Sequence, residues 1–512
     1  MLLLNKNFTN SFFVRIMSSR LTCFAISIVS VLLYLFFFNV VYEQNDDIWM
    51  RSIANGYFTG KVDFHLVYEN NTIGYLLKAL YNNFQNVEWY ALFMISALLI
   101  AFFSNLYCIL KYEDGMNIFI LTLFNILLVY FLSRLQFSYA SGFLAISAGI
   151  SQYYGDRNKS TKLLIFSVFL MLLSSAVRFE MFLFTYFIFF AVFVFNFKKF
   201  WDYKIIYAGI ILVLLLKLFH NYQYSGEKKW ADYYDYNKAR QSIVANSNID
   251  YENRRNNEKL DISEQDITLL KQFIFTEKFD TKTMSEFSKE NNKQMSISEI
   301  FKFCFTYTGA YFIAVTIFFI VSLILKNYRV TSFILLHFIL IVATMRYVNN
   351  VQYRVLYPSL FGAVFFLLQP IKYNKRHFLF VINTLTISFF LLTALWDVNK
   401  TKTFALRTLN YIRSIERQLP KNKVYLVDTT SNMHVYSRLA FQKPMINTVF
   451  FGWITNLPTI REKYPSYNSN PYEMSEYPLL ISAENYKKFS KYITNTEVYI
   501  IEDYKHIKFI KH

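Results

Sequence analysis

Along this chain, apolar windows as long as a membrane crossing recur again and again, most of them ended by a Lys/Arg cluster or an aromatic residue. A crossing needs about 20 predominantly apolar residues. On that criterion residues 21–42, 89–110, 116–132, 137–153, 163–177, 181–197, 205–220, 303–325, 330–346, 355–370 and 377–396 are candidate spans, about eleven transmembrane helices. The first follows Lys6, Arg15 and Arg20 as a signal peptide would, but no small-residue cleavage site follows Phe36, Phe37 and Phe38, so it reads as an uncleaved helix.

Polar stretches interrupt the pattern at 43–88, at 221–302 and from 397 onward. With the N-terminus cytoplasmic, the inner loops carry Lys111, Arg157, Lys159, Lys162, Lys198, Lys199, Lys204, Lys326, Arg329, Lys372, Lys375 and Arg376. The short outer loops hold only Arg134, Arg178, Arg346 and Arg354. This asymmetry places the three polar stretches and the C-terminus outside the cytoplasm, and Trp89, Trp201 and Trp396 fall at span ends as interfacial anchors.

The expected layout is therefore a predominantly α-helical polytopic membrane domain over residues 1–396, with extracytoplasmic loops 43–88 and 221–302. A small extracytoplasmic α/β domain follows over 397–512. In that last segment most of the prolines gather, and the runs Lys423–Asp428 and Glu497–Glu502 read as strands. The central loop carries helical stretches at Tyr233–Val244 and Ile262–Phe275, suited to short helices lying across the membrane surface.

Composition supports this picture. Hydrophobic residues make up 54% and charged residues 17% of 512, a balance foreign to soluble multidomain proteins. The net charge of +18 sits mostly in short loops between apolar runs, which points away from nucleic acid. Cys23, Cys108 and Cys304 all lie in or beside apolar spans, so a disulfide framework and a cysteine metal cluster are both excluded. The scattered histidines form no HxxxH pair, and no glycine-rich phosphate loop exists.

The sharpest polar feature is Glu43-Gln-Asn-Asp46-Asp47-Ile-Trp49-Met-Arg51, directly after the first span. Adjacent carboxylates at a membrane mouth face low dielectric and each other, which suits general-base work. They also suit a hard divalent cation such as Mg or Mn. Equally, they fit the start of a surface helix over Ile48–Phe58, capping it and offsetting its dipole. His65 is the histidine nearest this motif, and Ile73, Leu76, Leu77 and Leu80 mark a second, amphipathic helix suited to the interface.

This arrangement resembles the GT-C class of membrane glycosyltransferases, whose first extracytoplasmic loop carries an acidic motif and two interfacial helices. The resemblance covers the layout of the whole chain and, at residue level, Asp46 and Asp47. It implies transfer of a sugar from a polyprenyl-phosphate-linked donor to a glycan or lipid acceptor at the cell surface, with Asp46 or Asp47 as catalytic base.

Outer-face arginines Arg178, Arg354, Arg346 and Arg134 suit the donor's phosphate, since guanidinium binds phosphate bidentately. Snorkelling to lipid phosphates, or pairing of Arg178 with Glu180, accounts for them equally well. Glu180, His65, Tyr233 and Arg240 complete the candidate substrate-binding set, although Tyr clusters carry little weight in a chain with 40 tyrosines. Two rival functions share the layout: a polymerase or ligase using polyprenyl-diphosphate-linked oligosaccharides, and a transporter or flippase. Nearly Pro-free spans speak against the transporter.

Overall fold

In the computed structural model the described residues are 20–43, 45–57, 60–112, 117–195, 201–244, most of 246–347, scattered positions from 358 to 410, 413–427, 439–442, 448–450, 452–464, 477–493, 496–502 and 506–511. The chain is mostly helical with a small C-terminal sheet. Apolar helices run over α1 (Arg20–Phe37), α4 (Trp89–Tyr112), α5 (Asn117–Leu132), α6 (Phe137–Arg157), α7 (Thr161–Val177), α8 (Phe179–Phe189), α9 (Lys204–Ser225), α14 (Ile297–Ile324) and α15 (Tyr328–Tyr347). Between them lie α2 (Asn45–Asn55) and α3 (Asn71–Asn83) in the first loop, and α10 (Lys228–Val244), α11 (Arg254–Lys259), α12 (Glu264–Leu270) and α13 (Thr281–Asn291) in the central one.

Three helices among the described residues are long and apolar enough to cross a membrane: Trp89–Tyr112, Trp201–Ser225 and Tyr328–Arg346. Phe24–Phe37, Thr161–Val177 and Phe179–Val194 are apolar but shorter. The expected figure of about eleven spans is thus supported only in part, for physical reasons visible in the chain. The first helix stops at Phe37, because residues 39–43 are extended and pair with other segments. Arg178 alone, at φ −159° and ψ 108°, separates α7 from α8. The expected spans 355–370 and 377–396 lie, apart from Pro358 and Leu395, outside the described residues.

Burial separates the helices by role. On α9, Ile211, Leu212, Leu214, Leu215 and Leu218 all point outward, and on α1 Leu21 and Phe36 are 78% and 82% exposed. Such apolar outer faces are what a lipid environment covers. By contrast α6 is buried without interruption from Phe137 to Gln152, although it carries four serines in that stretch. Those hydroxyls bond to neighbouring helices. Ser141 Oγ donates to the Ser174 carbonyl (2.9 Å), Ser174 Oγ to the Ser141 carbonyl (2.8 Å) and Ser147 Oγ to the Ala101 carbonyl (3.1 Å). Ser167 Oγ of α7 reaches the Ala148 carbonyl at 2.8 Å. Small residues with interhelical hydroxyl bonds are how helices associate where water offers no hydrophobic drive.

The central loop forms short helices, as expected, and they pack on one another. Ala239, Ile243, Ile262, Ile267, Leu270, Phe275, Phe279, Met284 and Phe287 form a core of their own between α10, α12 and α13. The capping box of Ser263 with Asp266 starts α12.

At the C-terminus β1 (Tyr425–Val427), β2 (Thr448–Phe450), β3 (Leu479–Ser482), β4 (Glu497–Glu502) and β5 (His506–Lys511) form one sheet in the order β2-β1-β3-β4-β5. The first four are parallel, with Leu426 opposite Leu479 and Leu480 opposite Tyr499, and β5 returns antiparallel to β4. Leu479, Leu480 and Ile481 are fully buried, the continuous apolar run that a parallel strand covered on both faces requires. Helices α16 (Pro458–Lys463) and α17 (Ala483–Phe489) accompany the sheet.

Gly74 sets how closely α3 packs. A Cβ there would stand 1.9 Å from the Phe64 carbonyl oxygen, which is backbone and cannot rotate away. Gly74→Ala is therefore expected to cost about 2 kcal/mol or more and to lower the thermal unfolding midpoint of the detergent-solubilised protein. An unchanged midpoint would show that the first loop is not packed this way.

Candidate functional site

The exit of the first helix is threaded between two partners. Leu135 N donates to the Val41 carbonyl and Glu43 N to the Leu135 carbonyl, while Ala440 N donates to the Val40 carbonyl on the other side. This three-segment contact brings the start of α2 against the start of α6. The helix begins at Asn45, so Asp46 and Asp47 both occupy its first turn. It is not a surface helix, since Ile48, Trp49, Met50, Arg51, Ser52, Ile53 and Ala54 are all buried.

The two carboxylates have different surroundings. Asp47 is fully buried, and its Oδ1 accepts from the backbone N–H of Phe137 (3.0 Å), the first residue of α6, and from Tyr90 Oη (3.2 Å). A helix N-terminus favours an anion there, so Asp47, besides lying in the first turn of its own helix, serves the start of α6 next to the Gln136 cap. Tyr90 Oη also lies 2.8 Å from Glu69 Oε1. Glu69 is 1% exposed, and burial, with the nearby Asp47 charge adding to it, holds its carboxyl well above the ordinary value of 4.5 despite the Tyr90 bond.

Asp46 is half-buried, and its Oδ1 accepts from Trp453 Nε1 at 3.2 Å. The Trp453 ring meets Tyr68 edge-on at 5.1 Å, and Tyr68 stacks beside Phe137 at 6.2 Å. Burial raises the Tyr68 phenol, Arg240 opposes that and Asp46 adds to it, which places all three groups within electrostatic reach. Arg240 Nη2 donates to Tyr68 Oη at 3.1 Å, and Tyr233 Oη donates to the Trp453 carbonyl at 3.0 Å. Tyr233, Asn237 and Arg240 recur at helical spacing and are buried together, so one face of α10 closes this neighbourhood.

Cations approach from the α7–α8 break. The Arg178 guanidinium lies 4.7 Å over the Phe137 ring, and its Nη1 donates to Ser138 Oγ at 3.1 Å. Phe137 is therefore the meeting point: its backbone N–H holds Asp47, one contact reaches Arg178 and another Tyr68. Glu180 is 67% exposed, 4.0 Å from Arg178 and 3.8 Å from Lys217 Nζ. Lys217 also lies 5.2 Å over the Phe179 ring. Arg134 pairs with Glu43 at 3.3 Å, Arg346 is half-buried in the last turn of α15, and Arg354 lies outside the described residues.

His65 has a different setting. It stacks on Trp230 at 4.0 Å, and its Nδ1 stands 2.7 Å from Asp63 Oδ1. Burial pushes the Asp63 carboxyl up, but the His65 ring and backbone bonds outweigh this and leave it below the usual carboxylate range. His65 thus braces the loop within an aromatic cluster completed by Tyr224. Among the described residues no three His, Cys, Asp or Glu side chains come together as a metal site.

Several residues here escaped the sequence reading. Lys217 carried a signal, as a lone cation in Leu214-Leu-Leu-Lys217-Leu-Phe. Glu69, Tyr90 and Trp453 carried none, because their meaning depends on contacts across 21 to 407 positions. No family model, no curated protein and no solved structure matches the chain.

The C-terminal segment is fastened to this region by Arg51. Its guanidinium is fully buried, grips Glu88 through Nε (2.9 Å) and Nη2 (2.6 Å), and donates to the carbonyls of Leu439 (3.4 Å) and Gln442 (2.6 Å). Arg51→Met leaves the half-buried Glu88 with Tyr57 but without its cation and is expected to cost about 3 kcal/mol. Arg51→Met/Glu88→Met removes both charges and is expected to recover part of that loss in thermal unfolding. Equal midpoints for the single variant and wild type would remove Arg51 as the fastening point.

Proposed function

We propose that this protein is a membrane glycosyltransferase of GT-C type, transferring a sugar from a polyprenyl-phosphate-type carrier to a cell-surface acceptor on the extracytoplasmic face. The observation that carries this reading is the meeting of Asp47 and Arg178 on the first turn of α6, with Asp46, the neighbour of Asp47, held by Trp453 in the wall that Trp453 and Tyr68 make beside Phe137. Apolar helices fit a membrane setting, and the cations Arg178 and Lys217, both beside Glu180, would bind the carrier's phosphate.

In this reading the two carboxylates divide the work. Asp46, half-buried and aimed by the Trp453 indole, takes the proton of the acceptor hydroxyl. The acceptor oxygen bonds to the anomeric carbon, the bond from that carbon to the phosphate oxygen breaks, and the phosphate leaves with the electron pair. Arg178, with Lys217 nearby, stabilises the charge that develops on it. Asp47 holds α6 in place, and the acceptor attacks opposite the leaving group, so configuration inverts. The polytopic topology with an external C-terminal domain belongs to this same proposal.

The test is transfer of labelled sugar from a polyprenyl-phosphate donor by membranes carrying the full chain. Asp46→Asn is expected to lower turnover by about 10²-fold or more with the unfolding midpoint retained. Arg178→Ala is expected to lower kcat more than it raises KM for the lipid donor. Full transfer by Asp46→Asn would defeat the catalytic assignment, and build-up of single lipid-linked repeat units in a depleted strain would favour a polymerase instead.

A further inference from the structure

Tyr90 has one hydroxyl proton and two carboxyl neighbours. Its Oη lies 2.8 Å from Glu69 Oε1 and 3.2 Å from Asp47 Oδ1, and all three side chains are buried. Both contacts are hydrogen bonds only if one of the acids brings a proton of its own. Two ionised carboxylates on one phenol, away from water, would leave one oxygen facing another without a proton between them.

Which acid carries the proton follows from their other contacts. Asp47 accepts from the Phe137 N–H at the positive end of α6, an interaction that favours its anion. Glu69 has only Tyr90, and its second oxygen, Oε2, is buried with no partner among the described residues. The charged or titratable groups acting on Glu69 are Tyr90 from α4 and Asp47 from α2; Tyr42 packs on Tyr90 at 5.9 Å.

We propose that Glu69 is a positioning residue that donates its own proton to Tyr90, so that Tyr90 donates to Asp47 and holds that carboxylate on the first turn of α6. The order of donation is Glu69 Oε1–H to Tyr90 Oη, then Tyr90 Oη–H to Asp47 Oδ1. The unit holds one acid proton and one negative charge, and the charge rests at the helix terminus. Keeping an acid neutral in a buried site lowers stability near neutral pH, and such a cost is borne where a function needs the group. This deepens the reading of the acidic pair given above, but its tests need no transfer assay, so the two fail separately.

The pH dependence has a definite sign. The folded Glu69 binds its proton above the ordinary value of 4.5, where the unfolded chain has released it. Stability contributed by this residue therefore falls as pH rises through 4.5 toward the folded value, and the penalty is absent below 4.5. Gln copies the neutral acid, including a donor toward Tyr90, without this penalty.

In the purified full-length protein Glu69→Gln is expected to raise the unfolding midpoint at pH 7.5 by roughly 2 °C, the gain vanishing near pH 4. Asp47→Asn, which removes the anion from α6, is expected to lower it at pH 7.5. The infrared C=O stretch of a protonated carboxylic acid, present in wild type at neutral pH, is expected to lose intensity in Glu69→Gln and to keep it in Asp47→Asn. The reverse pattern, with Asp47→Asn stabilising and removing the acid band, would overturn the assignment. So would a Glu69→Gln protein less stable than wild type at pH 7.5 with an unchanged band.

Discussion

A buried carboxylate on the end of a buried helix organises this protein. Asp47 lies in the first turn of α2 yet bonds to the first backbone N–H of α6, the helix against which α4, α7 and α8 all pack. An anion fully out of water is tolerated only where donors and a favourable dipole replace its hydration. That requirement fixes where the first loop must sit. It makes Phe137 the residue that Asp47, Arg178 and Tyr68 share, and it leaves Asp46 facing Trp453.

The surrounding helices answer a different demand. Serine hydroxyls of α6 and α7 bond carbonyls across the helix interface, and apolar side chains of α1 and α9 face outward. Apolar side chains here fill the interior and also cover the outer faces of α1 and α9, and the buried serines tie the inner helices together.

The C-terminal sheet is joined to the site rather than appended to it. Arg51 reaches the Leu439 and Gln442 carbonyls, and Trp453 reaches Asp46 from the segment that follows β2. A guanidinium buried this deeply is stable because Glu88 and two carbonyls satisfy it together. The first loop, the entry to α4 and the C-terminal segment therefore hold one another, and the half-buried carboxylate lies where they meet.

Much was legible in the residues alone. Runs of apolar side chains set the helical segments at 89–112 and 204–225, because no soluble fold leaves so many leucines and phenylalanines in sequence. The strand Glu497–Glu502 was equally plain, and the acidic pair stood out as the sharpest polar feature after the first span. What the sequence could not distinguish was Asp46 from Asp47, or the setting of Arg240 against Tyr68 from that of His65 against Asp63 and Trp230. Those differences arise from partners such as Phe137, Tyr90, Tyr68 and Trp453, which are distant in the chain and ordinary in composition. Local pattern reports which face a residue prefers; only the folded chain decides which donor meets which carboxylate, because hydrogen bonds act over about 3 Å and the chain brings those atoms together across hundreds of residues.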